Sequence, residues 1–413
     1  MRTLIPLLLT IITFASISVA QSTKDKIEIG VQSTSLTLFN PDFPFDETQG
    51  GVGSRVTYNF NRSIAAEAEI NFFPQKPLIL NADGSAIQAQ FGVKLGKRFE
   101  KFGLFAKVRP GFLSVDRVRS FTPAPGSQGP PGGALIFKIE RETFFTIDAG
   151  GVLELYPSKR TVVRFDAGDT VLRHPAGVGP FVFIGPPQLL RPAKFNHNFQ
   201  FTAGVAFRLG DFPDEEPDVQ TSGDAQERSK RFEVGAQFTS LFVQPTEVRG
   251  SPILPRQHTE PGFGARITFN LTENVALEAE GNYYTRQQFP FTQGGHMFQG
   301  QFGGKAGKRF DRWGLFGKAR PGFVGFTRVA QFPGAQTPGP VAFVKKHYPS
   351  LDLGGVVEFY ISPRWMARFD VGDTLIRYGE IRIEAGPQIP AIILQEKQTQ
   401  HNLQVSSGIA FRF

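Results

Sequence analysis

Apolar and polar residues alternate along this chain with a period of two, in runs of about 9 to 14 residues. The first half has eight such runs, near residues 26–39, 51–60, 64–73, 86–99, 102–115, 144–156, 161–173 and 195–209. The last is the cleanest. Phe199, Phe201, Ala203, Val205, Phe207 and Leu209 point one way, and Gln200, Thr202, Gly204, Ala206 and Arg208 the other. Connections after the second, fourth and sixth runs are a few residues long. Those after the first, third, fifth and seventh run from about 10 to 30 residues. Strands of this length, with alternately short and long connections, predict an antiparallel up-and-down β-barrel that crosses a bilayer, its N-terminus on the short-turn side.

The chain is written twice. Gln90 to Phe112 returns as Gln301 to Phe323 with 16 of 23 positions identical. Arg164-Phe165-Asp166-Ala167-Gly168-Asp169-Thr170 returns as Arg368-Phe369-Asp370-Val371-Gly372-Asp373-Thr374. A repeat of about 184 residues has the size of a domain. The offset between copies is 205 at the start, 211 from Arg55 to Arg109 and 204 from Asp148 onward. Length differences therefore fall only in residues 40–50 and 116–143, both rich in Pro and Gly and read as loops. The expected divisions are a signal peptide at 1–20, a first barrel at 24–209, an acidic linker at 210–229 and a second barrel at 230–413. Arg2, the apolar Leu4 to Ala15 and the small residues of Ser18-Val19-Ala20 carry the first. Seven acids among residues 210–229 carry the third. Sixteen strands could also close as one porin-like barrel around a channel for small solutes. A complete strand set, closing run and charge balance in each copy favour two barrels.

The polar parity is a charge ladder. The first copy carries Glu28, Glu67, Glu69, Asp148, Glu154 and Asp166 against Arg55, Lys94, Lys107, Arg109, Arg164 and Arg208. The second carries Glu233, Glu278, Glu280, Asp352, Glu358 and Asp370 against Arg266, Lys305, Lys318, Arg320, Arg368 and Arg412. Alternation alone does not say which face is inside. A balance of six to six is what a narrow lumen requires, since an unpaired buried charge costs several kcal/mol. The opposite face is bulky with Phe and suits lipid better than a small lumen. An ion-pair plug is expected in the short-turn half of each lumen. Glu28 should face Arg208, and Lys107 and Arg109 should partner Glu67 and Glu69.

Composition sharpens this picture. The 413 residues include 43 Phe, 45 Gly, 31 Pro, 6 His and no Cys. There is no thiolate site, no disulfide framework, and after residue 20 no apolar run long enough for a membrane helix. No P-loop, dinucleotide-binding glycine motif, HExxH or GxSxG occurs, so no enzyme, metal or cofactor is expected. The net charge of +8 comes without aromatic–basic interleaving and does not imply nucleic acid. His197-Asn198 and His401-Asn402 recur before the last run of each copy. A catalytic reading would need a Ser and an Asp beside them at a loop rim; the alternative is a polar His near the headgroups. Asp169 and Asp373 fall on the apolar parity and are expected above the bilayer edge or in a bulge. Arg117, Arg119 and Lys345-Lys346-His347 put positive charge on long loops, where lipopolysaccharide phosphates could meet it.

With strand count, connection rule and lumen charges in hand, the sequence resembles the small eight-stranded outer-membrane barrels of the OmpA, OmpX and opacity type. The closing runs are the most specific feature: Gly204, Phe207 and Leu209, and Gly408, Phe411 and the chain-terminal Phe413, match the signal such proteins present to the barrel-assembly machinery. The resemblance implies a bacterial outer-membrane protein, without enzymatic activity, with a structural or surface-binding role through its outer loops. The implied partners are the lipid bilayer, lipopolysaccharide and, through Phe413, that machinery. Tandem duplication is the departure from the family pattern.

Overall fold

The computed structural model describes residues 26–39, 46–75, 84–123, 135–174, 194–210, 231–244, 246, 257–285, 295–331, 342–383 and 392–413, and every element among them is a strand. The first copy contains β1 (Ile27–Leu38), β2 (Glu47–Asn59), β3 (Ile64–Phe73), β4 (Ala86–Arg98), β5 (Phe102–Pro123), β6 (Leu135–Leu155), β7 (Thr161–His174), β8 (Lys194–Asn196) and β9 (Phe199–Leu209). The second contains β10 (Phe232–Val243), β11 (His258–Asn270), β12 (Val275–Tyr284), β13 (Met297–Arg309), β14 (Trp313–Gln331), β15 (Ala342–Tyr360), β16 (Trp365–Tyr378), β17 (Ile381–Ile383), β18 (Ile392–Gln395) and β19 (Gln398–Arg412).

In the first copy β1 to β7 pair in sequence, and β9 pairs with both β7 and β1, so the sheet closes. The short β8 pairs with the end of β7 and continues the line of β9, as the unbroken β19 does in the second copy. That copy closes as β10-β11-β12-β13-β14-β15-β16-β19. The closing registers bring Glu28 opposite Arg208 and Glu233 opposite Arg412. Each edge is used within its own half, which excludes the single sixteen-stranded barrel. The fold is two closed eight-stranded antiparallel barrels.

Local chemistry makes the tight turns. Asn61 Oδ1 accepts from the backbone N–H of Ser63 at 2.8 Å and of Ile64 at 2.9 Å. Ser158, Thr272 and Ser362 play the same part at three other turns. Glycine matters where large lumen side chains cross the wall. A Cβ on Gly92 would lie 2.1 Å from the Val108 carbonyl and 2.9 Å from Arg109 Cγ, and Gly303 stands in the same relation to Arg320.

The loop reading of residues 116–143 is wrong at both ends. β5 continues to Pro123 and β6 begins at Leu135, 22 and 21 residues long. β14 and β15 are 19 residues each. Arg117 and Arg119 therefore lie in β5, and Lys345 to His347 in β15. The reason is that a hairpin propagates by backbone pairing and needs no apolar alternation once it leaves the bilayer. The departure is marked by a bulge between Val115 and Val118, where Arg117 takes a φ of 56°. Six residue pairs follow the bulge, carrying the hairpin about 20 Å further at ~3.3 Å per residue. β2 likewise starts at Glu47, inside the stretch read as a loop. The expected signal peptide and nearly all of the linker lie outside the described residues.

Because β1 closes on β9 within the first copy, residues 24–209 refolded in detergent should give a heat-modifiable band on gels. A band that does not shift on heating would mean the repeat is not an independent barrel.

Candidate functional site

The alternation resolves with charges inside. Arg109, Asp148, Glu154, Arg320, Asp352 and Glu358 have no exposed surface, while Val31, Phe91 and Phe302 on the outer face are more than 60% exposed. Twenty-three of the twenty-four charged residues read from the ladder are buried, and Arg208 is half-buried at the inner rim. A lone buried charge is expensive, so the useful question is what each one meets.

In the first lumen Arg109 donates to Asp148 at 2.6 and 3.0 Å and to Glu69 at 2.5 Å. Arg164 holds Glu67 through two nitrogens and Asp166 at 3.0 Å. Lys94 pairs with Glu154 and lies 3.4 Å from Glu67. Lys107 sits 2.8 Å from Asp148 and 3.6 Å from Asp166. Arg55 is 3.8 Å from Asp166. Arg208 donates through Nε to Glu28 at 3.0 Å. The second lumen repeats the scheme. Arg320 meets Asp352 at 2.6 Å and Glu280 at 2.5 Å; Arg368 holds Glu278 and, at 2.8 Å, Asp370. Lys305 pairs with Glu358, Lys318 with Asp352 at 2.9 Å, Arg266 with Asp370 at 3.4 Å and Arg412 with Glu233 at 2.9 Å.

One expected pairing does not form. Lys107 does not reach Glu67 or Glu69; it turns to Asp148 and Asp166. Lys94 and Lys107 are direct cross-strand partners. Like charges placed opposite repel, and the two ammonium groups lean toward different carboxylates.

Two basic residues escaped the ladder. Arg98 lies 3.4 Å from Glu28 and 3.5 Å from Glu154, and Arg309 lies 3.4 Å from Glu233. Both share the parity of Lys94 and Lys305, so continuing the alternation to the strand ends would have found them. An uncharged layer was missed too. Gln32 donates to Asn71 at 2.9 Å, Asn71 to Gln88 at 3.0 Å and Gln88 to Gln200 at 3.0 Å. Gln237, Asn282, Gln299 and Gln404 form the same ladder at 2.9, 2.9 and 3.0 Å. Beyond the amides, toward the long-loop ends, each lumen is capped by apolar side chains. Leu36, Phe73, Leu113, Val115 and Phe144 cap one, and Leu241, Tyr284, Val324, Phe326 and Tyr378 the other.

The outer face completes the picture. Phe99 stacks on Phe102 at 4.6 Å and Phe310 on Trp313 at 4.2 Å at the short turns, forming part of an aromatic girdle. Phe207, Leu209 and Phe413 are exposed beside it, and Gly204 and Gly408 back onto Gln32 and Gln237.

These are membrane barrels. At the level of the fold the resemblance to the small eight-stranded outer-membrane barrels holds in both halves. No protein-family model and no curated protein sequence matches the chain. Among solved structures, Neisserial surface protein A is 13% identical, covering 44% of this chain and 97% of its own, with a TM-score of 0.28. The N-terminal barrel of Pseudomonas aeruginosa OprF is 10% identical, covering 45% and 98%, at 0.26. A Pseudomonas aeruginosa FadL homologue is 10% identical, covering 94% and 90%, at 0.27. The fold rests on the strand pairing itself, not on these likenesses.

The recurring histidines are placed by a partner that sequence reading kept separate from them. His197 Nδ1 lies 2.5 Å from Asp169 Oδ2, and His401 Nδ1 lies 2.6 Å from Asp373 Oδ2. The other oxygen of each carboxylate accepts the N–H of Asn198 at 3.0 Å or Asn402 at 3.1 Å. Asn198 Oδ1 in turn accepts from Phe39 N–H at 2.9 Å, and Asn402 Oδ1 from Gln244 N–H at 2.8 Å. The unit thus ties the closing seam at the outer end of each barrel. Asp169 and Asp373 keep regular register, so no bulge carries them.

Substituting Arg320→Met takes from Asp352 its two-nitrogen partner and from Glu280 its nearest one, leaving them to Lys318 at 2.9 Å and Arg266 at 3.6 Å, and should cost about 3–5 kcal/mol, read as a lower urea midpoint of unfolding in detergent. Arg208→Glu should destabilise the first barrel, with partial recovery by Glu28→Arg. Recovery stays partial because Arg98 would then face a second guanidinium.

Proposed function

We propose that the protein is a non-conducting, non-enzymatic outer-membrane barrel pair whose role is structural or in surface binding. The observation that carries this reading is the filling of each lumen in three layers: ion pairs, an amide ladder and an apolar cap. An eight-stranded barrel has room for little besides side chains, and a path for solute would have to break all three layers. What such a protein offers its surroundings is its outer end, where the β5–β6 and β14–β15 hairpins stand beyond the barrel walls.

In this reading residues 1–20 are a signal peptide that exports the chain, residues 24–209 and 230–413 are the two barrel domains, and residues 210–229 are an acidic linker between them. Phe413, exposed at the end of the closing strand, is the residue offered to the barrel-assembly machinery. Arg117 and Lys345, at the bulges where the hairpins leave the walls, and His347, just inside the wall, are exposed and suit contact with lipopolysaccharide phosphates. The lumen charges serve stability and specificity of closure rather than chemistry.

Reconstitution into planar bilayers tests the central claim. Purified protein should add no stable open steps to the bilayer current. Reproducible unitary steps would refute a filled lumen and restore a channel reading.

A further inference from the structure

The two barrels meet through equivalent faces. Phe165 of β7 and its repeat counterpart Phe369 of β16 stack on each other, ring centroids 6.0 Å apart and planes within 2°. Around them Leu155, Val163, Ala203, Ile361 and Ala367 are buried in one cluster. All of these sit on the outward parity, where residues on the free walls, such as Val31 and Phe91, stand wide open. Within the cluster, Leu155 and Phe359, Val163 and Ala367, and Val205 and Ile409 are counterparts at the same offset of 204 as the phenylalanines. Two barrels merely tethered side by side would present unrelated faces. A residue that meets its own counterpart marks an isologous contact, the kind made across a twofold axis.

We infer that the tandem chain is a homodimer-like barrel pair made covalent, whose association is carried by this face and not by the linker. This rests on the barrel fold alone. Lipid tails are as apolar as Leu, so association inside a bilayer depends on close packing and on polar groups that lipid cannot satisfy. Both are present. Small residues at Ala203, Ala367 and Ser407 let the walls approach. Ser35 and Ser240, also small and on the outward parity, are buried at the seam. Phe201 stacks on Phe238 at 4.1 Å across it. Thr259 Oγ1 of the second barrel donates to Gln75 Oε1 of the first at 2.6 Å, and Arg312 reaches the Pro157 carbonyl at 3.3 Å. The consequence is a fixed relative orientation of the two outer ends, so that a ligand touching both meets one composite surface.

The test uses the full chain with a protease site introduced between residues 211 and 229 and an affinity tag on the N-terminal half. After refolding and cleavage in a large excess of detergent micelles, capture of the tagged half should retain the other. Loss of that half to the flow-through overturns the inference. A203W combined with A367W should release it while both halves keep their heat-modifiable bands. Retention equal to the parent protein would overturn the assignment of the face. If the tryptophan variant does not fold, Phe165→Cys with Phe369→Cys decides. The chain has no Cys of its own, so a short bis-maleimide should join the cleaved halves on a denaturing gel, and unjoined halves would overturn the proposal.

Discussion

A backbone inside hydrocarbon has no water to take its hydrogen bonds, and every feature of this protein follows from that. Strands can cross only if the sheet has no edge. Closing eight strands satisfies every ladder but leaves a bore too narrow to be wet throughout, so inward side chains must fill it. Charged side chains can do so only in balance, and the pairings of Arg109, Arg164, Arg320 and Arg368 are how that balance is met. The glycines of the inner wall follow in turn, since guanidinium stems need a wall without Cβ atoms beside them.

The layering of the lumen has a physical order. The ion network occupies the end nearest the tight turns, where registers are set by connections of three to five residues and geometry is stiffest. Amides come next, because they can satisfy one another in a chain without bringing net charge. The apolar cap lies where the strands begin to leave the bilayer. Removing a member of the network leaves its partners buried with one counter-charge fewer, whereas trimming the cap only opens a cavity. The two ends of the lumen therefore differ in how steeply they punish substitution.

The asymmetry between the two outer walls matters equally. Most of each barrel's exterior is Phe, Leu and Val turned to lipid. One sector sets Ala and Ser among its Phe and aliphatic side chains instead, and those sectors face each other. Duplication of a barrel with such a sector yields a pair with a defined interface, and the His–Asp–Asn unit at each seam keeps the outer rim closed beside it.

Much of this was legible in the residues. Period-two alternation at bilayer-spanning length named the strands, the repeat offsets named where the two copies differ in length, and the six-to-six ladder named the inward face. These properties are local or additive, and a linear reading captures them. Arg98 and Arg309 were within its reach and were lost only because the alternation was not followed to the strand ends. Other features were beyond it. Alternation does not persist in the protruding β5–β6 and β14–β15 hairpins, so nothing in the pattern marks their length. That Lys107 turns from Glu67 to Asp148 depends on cross-strand register. That Asp169 meets His197 depends on which strands become neighbours on closure. Sixteen strands can close once or twice with the same local pattern, and only the pairing of β1 with β9 and of β10 with β19 decides between them. The sequence by itself determined which side chains turn outward and which turn into the lumen; the tertiary structure decided which of them meet, how many barrels they form and which walls touch, because closure and packing are relations between strands that no single strand contains.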